Sequence, residues 1–250
     1  MDRLINLSGN LQNLIEVRDL PDSPVVTFAL ISLATILLIV SGIKKKGSLG
    51  VMLVALLIFV AARLGLTGLA QFGFVIPENW PSTVLVGLLI GSGLSLLNIM
   101  LIGPLIENFT KQPHDVSIVD GVRGNWKSLL SWLALIWTFA AFGEELLYRG
   151  FLMSQLTKLL GASVLAFVLN VLLTSIVFGL SHSYQGRSGV WSTGFIGVFL
   201  GVIYILNGFN LWLPIVVHGA IDTFELLLMF LGADQRLREL LWKKQLQPAG

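Results

Sequence analysis

The sequence predicts an all-α, polytopic transmembrane helical bundle of about seven spans (six to eight). Three observations point there. Of the 250 residues, 55% are hydrophobic and 12% are charged, against about 25% charged in soluble domains. Mean hydropathy is +0.84. The charges gather between apolar runs long enough to cross a hydrocarbon core of about 30 Å, and the alternation of a β-barrel strand is absent.

Residues 1–23 read as an interfacial lead. Leu4, Leu7, Leu11, Leu14 and Ile15 fall at helical spacing, the pattern of an amphipathic helix lying on the membrane, and Pro21 and Pro24 end it. The first span is Val25 to Ile43. Lys44, Lys45 and Lys46 follow at once, the strongest positive cluster in the chain, which places that end in the cytoplasm. The second span starts near Leu49 and runs toward Leu69; Arg63 within it makes it either a shorter span with a snorkelling arginine or a longer one with an internal partner. A turn-rich loop from Phe72 to Ser82 carries Pro77, Trp80 and Pro81. The third span, Thr83 to Ile106, holds Gly87 and Gly91 at the spacing of close helix contact.

Glu107 to Lys127 is the longest polar loop, with His114, Asp115, Asp120 and Arg123. The run from Ser128 to Leu160 would reach on the order of 45 Å at helical rise, so it is steeply tilted or broken near Gly143. A fifth span is Ala162 to Ser181. The sixth, Gly189 to Leu206, carries Gly197 and Gly201; a turn over Asn207–Asn210 leads to the seventh, Leu211 to Leu231. The tail is polar and basic, with Arg236, Arg238, Lys243 and Lys244. The organisation is therefore a lead (1–23), an N-terminal transmembrane region with polar loops (24–127), a membrane core (128–231) and a tail (232–250).

Composition also excludes. With no cysteine, there is no disulfide, thiol catalysis or cysteine-bound metal. The net charge of +2 and the loop placement of its basic residues argue against a nucleic-acid surface. No cleavable secretion signal or transit segment is visible.

Chemistry is concentrated in Gly143-Glu144-Glu145-Leu146-Leu147-Tyr148-Arg149-Gly150. A charge at the bilayer centre costs at least about 2.5–3.5 kcal/mol, so three such groups in six residues need partners or a purpose. Glu145 and Arg149, four apart, share a helix face and can pair; Glu144 is turned about 100° away. The later spans add His182, His218, Asp222 and Glu225. One such group alone is as often a packing element as a functional one. Groups on three helices are less costly if they share one wet cavity. Carboxylate with histidine and no cysteine is the chemistry of water activation. A glutamate in an apolar pocket makes a general base, and a histidine four residues before a carboxylate can aim a donor at an oxyanion. Glutamate with two histidines is also a zinc set, although no histidine here is followed by glutamate, so the HExxH helix is missing. Gly179-Leu180-Ser181-His182 is not the GxSG of a serine site, and Asp222 is the only aspartate within a span, so an aspartyl pair is missing too.

With these elements together, the chain resembles the CPBP (CAAX protease and bacteriocin-processing, or Abi) family of intramembrane proteases, including type II CAAX prenyl endopeptidases. The pattern of that family is EExxxR, FxxxH and HxxxN or HxxxD on successive helices. Here these are Glu144-Glu145 with Arg149, Phe178 with His182, and His218 with Asp222, in that order, over about Leu129 to Leu231. The resemblance implies that Glu144 is the base working with His182, that His218 with Asp222 forms the oxyanion side, that Glu145 and Arg149 hold the site open, and that Phe178 packs beside His182. It implies endopeptidase action on a membrane-associated or lipidated protein or peptide, in a bilayer and without nucleic acid, in a multi-pass protein of the bacterial plasma membrane. Asp222 stands where eukaryotic CAAX-processing members carry asparagine, which departs from prenyl-CAAX specificity. No cofactor is assigned; the alternative is a divalent metal such as zinc on Glu144, His182 and His218. A non-catalytic scaffold and, behind it, a proton-coupled transporter are the competing functions.

Overall fold

The computed structural model describes residues 23–44, 47–66 and 72–242. The lead helix expected before residue 23, Lys45 and Lys46 of the basic cluster, residues 67–69 at the end of the second span, and Lys243 and Lys244 of the tail lie outside the described residues. Most of those described are helical, with no strands among them. Six helices are long and apolar enough to cross a membrane, and a shorter apolar helix accompanies them.

Helix α1 spans Pro24–Ile43, with proline in its first turn and Ser23 as N-cap. Helix α2, Gly47–Arg63, is the shorter of the two spans the sequence allowed. Arg63 does not interrupt it but ends it. Gly65 takes a left-handed φ of 70°, the Leu66 N–H bonds the Ala61 carbonyl at 2.9 Å and the Gly65 N–H bonds Ala62 at 3.1 Å. That is a Schellman stop, with the arginine at the negative end of the helix.

Helix α3 runs Trp80–Thr110, started by the Asn79 side chain, which accepts from the Ser82 N–H at 3.0 Å. Pro104 lies inside it. Lacking an N–H and crowding the preceding turn, it follows a π-helical turn at Asn98–Ile102. Helix α4, Trp126–Leu160, is the longest at 35 residues. It is not broken at Gly143. It widens instead into π-helical winding over Ile136–Glu144 and Leu146–Met153, a form otherwise confined mostly to single turns and frequent at functional sites. Helix α5 is Val164–Ser181, capped by Ser163. Helix α6, Gly186–Leu206, begins three residues before the expected Gly189. The Asn207–Asn210 turn uses left-handed Gly208 and Phe209. Helix α7 is Trp212–Phe230 and α8, Ala233–Trp242, follows it.

Packing joins α5 to α6 and α3 to α7, and small residues make both contacts. A Cβ on Gly91 would meet the Val217 carbonyl and Ala220 Cβ at 2.5 and 2.6 Å, and one on Gly87 would meet Val216. Gly197 and Gly201 abut Ser175, Phe178 and Val171 on α5. The two glycine pairs thus let α3 reach α7 and α6 reach α5 at backbone distance. The main buried core gathers Leu38, Phe72, Leu147, Phe151, Phe178 and Tyr204 among others. Apolar side chains such as Leu89, Leu165 and Ile176 stay exposed on the helix exteriors, the surface expected to face lipid.

Candidate active site

Helix α4 supplies both glutamates, and its geometry sends them in different directions. Glu145 is fully buried and Arg149 is 1% exposed. Arg149 Nη1 donates to Glu145 Oε1 at 2.7 Å, while Nη2 donates to the Gly197 carbonyl of α6 at 3.0 Å. The guanidinium also lies over the Phe178 ring at 4.7 Å. Its charge is thus met by a carboxylate, a carbonyl and a π-face, which is what burial of an arginine requires.

The same Glu145 oxygen accepts from His218 Nδ1 at 2.8 Å. This contact was not read from the sequence. Residues 73 positions apart carry no local signal of proximity. His218 is 5% exposed, and its Nε2 faces Asp222 Oδ2 at 3.6 Å, one turn along α7. Beside it, Trp137 of α4 lies against Gly219, where a Cβ would be 2.7 Å from the indole. The Trp137 indole N–H bonds Thr223 at 3.1 Å, which fixes α4 against α7 at the level of His218.

Glu144 faces away from this pair, toward His182. Its Oε2 lies 3.7 Å from His182 Nε2, beyond direct hydrogen-bond reach, and accepts no hydrogen bond among the described residues. The side chains are 15% and 12% exposed. His182 Nδ1 is 2.8 Å from the Phe178 carbonyl. A carbonyl only accepts, so Nδ1 carries a proton, and Nε2 is the ring nitrogen turned to Glu144.

The bond to the Phe178 carbonyl also orients the ring. It folds the His182 ring back along α5, edge-on to Phe178 at 4.8 Å, and the same phenyl ring lies 6.0 Å from His218. Glu144, His182, His218 and Asp222 all line one cavity of about 250 Å³. A more apolar cavity of about 480 Å³ adjoins it, shares Glu144, His182 and Tyr184, and is walled by Leu38, Val51, Met52 and Phe139. Glu145 and Arg149 stand behind the chamber rather than in its lining.

The N-terminal half contributes more than spans. Asn98, at the π-turn of α3, bonds Glu225 Oε1 at 3.1 Å and accepts from Ser192 at 3.0 Å. His114 and Asp115, from the polar loop, line the chamber too, so all three histidines of the chain are there. The Asp115 N–H bonds the Gln185 carbonyl at 3.1 Å, and His114 Nε2 is 3.2 Å from Gln185 Oε1, which holds the loop over the end of α5. A polar loop next to a buried polar cluster was the signal available for this.

As arranged, the residues do not make a metal cage. Among the described residues no group of three or more His, Asp and Glu side chains is spaced to hold one ion. The His218 Nδ1 is engaged by Glu145 and its Nε2 faces Asp222.

Residues 126–224 match the family model described as type II CAAX prenyl endopeptidase Rce1-like. No curated protein and no solved structure matches the chain. The matched segment carries the glutamate pair, both membrane histidines and Asp222 in the order EExxxR, FxxxH, HxxxD. Residues 126–224 of this integral membrane protein are therefore similar to the CAAX protease-like family, a family of intramembrane proteases.

Proposed function

We propose that the protein is an intramembrane endopeptidase in which Glu144 and His182 activate a water for attack on a peptide carbonyl. The observation that carries this is the 3.7 Å gap between Glu144 Oε2 and His182 Nε2 in the chamber wall; with the ring neutral, that nitrogen is an acceptor. Two acceptors at that separation suit a water that donates one proton to each. Its lone pair then points into the cavity. Glu144 takes a proton as the water adds to the carbonyl and returns it to the departing amine, the acid–base cycle of amide hydrolysis.

His218 is the electrophilic partner. Its Nδ1 proton is committed to Glu145, so it donates to an oxyanion from Nε2 only as the imidazolium. Asp222, one turn on at 3.6 Å, and Glu145 on the other side supply the charge that sustains this form. An aspartate serves here by balancing charge, where an asparagine would donate directly. Glu145 and Arg149 are positioning residues behind it. The chemistry proceeds with no metal. The substrate is a membrane-associated protein or peptide with its apolar part in the 480 Å³ compartment.

Quantitative proteomics of membranes from cells producing the wild-type protein or Glu144→Gln tests this. Peptides that lose processing in the variant, with equal protein levels, are the expected result. An unchanged peptide set with lowered stability is the outcome for a scaffold, and uptake driven by a proton gradient is that for a transporter; either sinks the protease.

A further inference from the structure

Tyr148 takes no part in the chemistry above, yet its hydroxyl ties together the two helices that deliver Glu144 and His182. The His182 N–H would complete an α-turn to the Phe178 carbonyl, but it bonds Gly179 instead, at 3.0 Å. Phe178 is left with an orphan carbonyl, as helix C-termini are. Two side chains fill it: Ser181 Oγ donates at 2.7 Å and His182 Nδ1 at 2.8 Å. The two donors are themselves 3.3 Å apart. Ser181 Oγ in turn accepts from the Tyr148 hydroxyl at 2.7 Å, a buried bond between helices 33 residues apart in sequence. The Tyr148 ring packs edge-on against Phe178 at 4.8 Å.

Position gives this chain of bonds its meaning. Tyr148 comes four residues after Glu144 on the same helix, and Ser181 immediately precedes His182. All four line the apolar compartment. We infer that Tyr148 and Ser181 are positioning residues that fix the separation of Glu144 from His182 and hold His182 as the Nδ1–H tautomer. This deepens the reading of Glu144 and His182 as the water-activating pair and rests on it. Without the tie, the Phe178 carbonyl and the His182 ring turn independently of α4. Nε2 then no longer stays aimed at the water.

Tautomer and rate are measured separately. Protein labelled with ¹⁵N-histidine and held in lipid nanodiscs reports both ring nitrogens, with only three histidines to resolve and a His182→Gln sample for assignment. In wild type and Ser181→Thr, His182 carries its proton on Nδ1 alone. In Tyr148→Phe, which removes one oxygen and keeps the ring, and in Ser181→Ala, both tautomers are present. An unchanged single tautomer in these two variants, or a wild-type proton on Nε2, overturns the inference. For the peptides whose processing needs Glu144, each variant slows kcat about tenfold, the scale of an ångström-level misplacement. KM stays within about twofold, Ser181→Thr restores the rate, and the double variant is no slower than either single one. Multiplying effects in the double variant, or unchanged rates, contradict the tie. If no peptide depends on Glu144, the protease reading fails while the tautomer result still decides the bond.

Discussion

At the scale of single residues, Glu145 has the heaviest structural duty. One of its oxygens receives both Arg149 and His218. Replacing it with glutamine leaves a buried guanidinium without its counter-ion, a change that costs about 3–5 kcal/mol in comparable buried pairs. The midpoint of denaturant unfolding in mild detergent should fall accordingly, while Glu144→Gln, at the chamber wall, should leave it nearly unmoved. Arg149→Lys should fall between, since one ammonium cannot span both Glu145 and the Gly197 carbonyl. The Glu145–Arg149 pair was legible in the sequence, because a four-residue spacing on a helix is a local fact. The bond from Glu145 to His218 was not, because it joins helices whose relative rotation no local pattern encodes.

Among elements, α1 bears on the site from a distance. Gly42 abuts the Ser181 carbonyl so closely that a Cβ there would overlap it. Gly42→Ala should push α1 off the end of α5 and destabilise the fold by about 1–3 kcal/mol, the usual cost of overpacking; thermal unfolding in nanodiscs measures it. Because Ser181 adjoins His182, Glu144-dependent cleavage should fall with it. Helix number and order were readable from apolar runs and caps. Two element-level features were not. The stop of α2 at Arg63 depends on Gly65 taking a left-handed φ, which a glycine permits but does not announce. The π winding of α4 resolves its excess length, and hydropathy does not distinguish a wide helix from a tilted or broken one.

For the whole molecule, the open question is how the C-terminal helix is held. Arg123, in the loop before α4, meets Asp234 of α8 with two charge-assisted bonds at 2.8 and 2.7 Å, and the Gly124 N–H bonds the Phe230 carbonyl. These contacts stand beside a second polar cavity of about 250 Å³ that shares Asn98, His114 and Glu225 with the chamber. Burial, the largest single influence, would raise the Asp234 carboxyl, but the hydrogen bond to Arg123, backbone hydrogen bonds and the Arg123 charge together outweigh it and hold the group below its ordinary value. A carboxyl lowered in the folded state contributes stability above its unfolded pKa, and that contribution is lost as pH falls through the lower folded value. Protection of the α8 amides, relative to the intrinsic exchange rate at each pH, should therefore be high at neutral pH and fall in acid below about pH 4. Asp234→Asn should show the lowered protection already at pH 7. This latch was not legible beforehand, since Arg123 and Asp234 lie 111 residues apart.

The proposed hydrolysis depends on Glu144 acting as the base inside a wet chamber. Its most direct test is cleavage of a Glu144-dependent membrane peptide by purified protein in lipid vesicles, wild type against Glu144→Gln. The predicted result is a loss of about 10²–10⁴-fold in rate, the range of general-base catalysis, with the unfolding midpoint unchanged. Cleavage by the glutamine variant at the wild-type rate would contradict it.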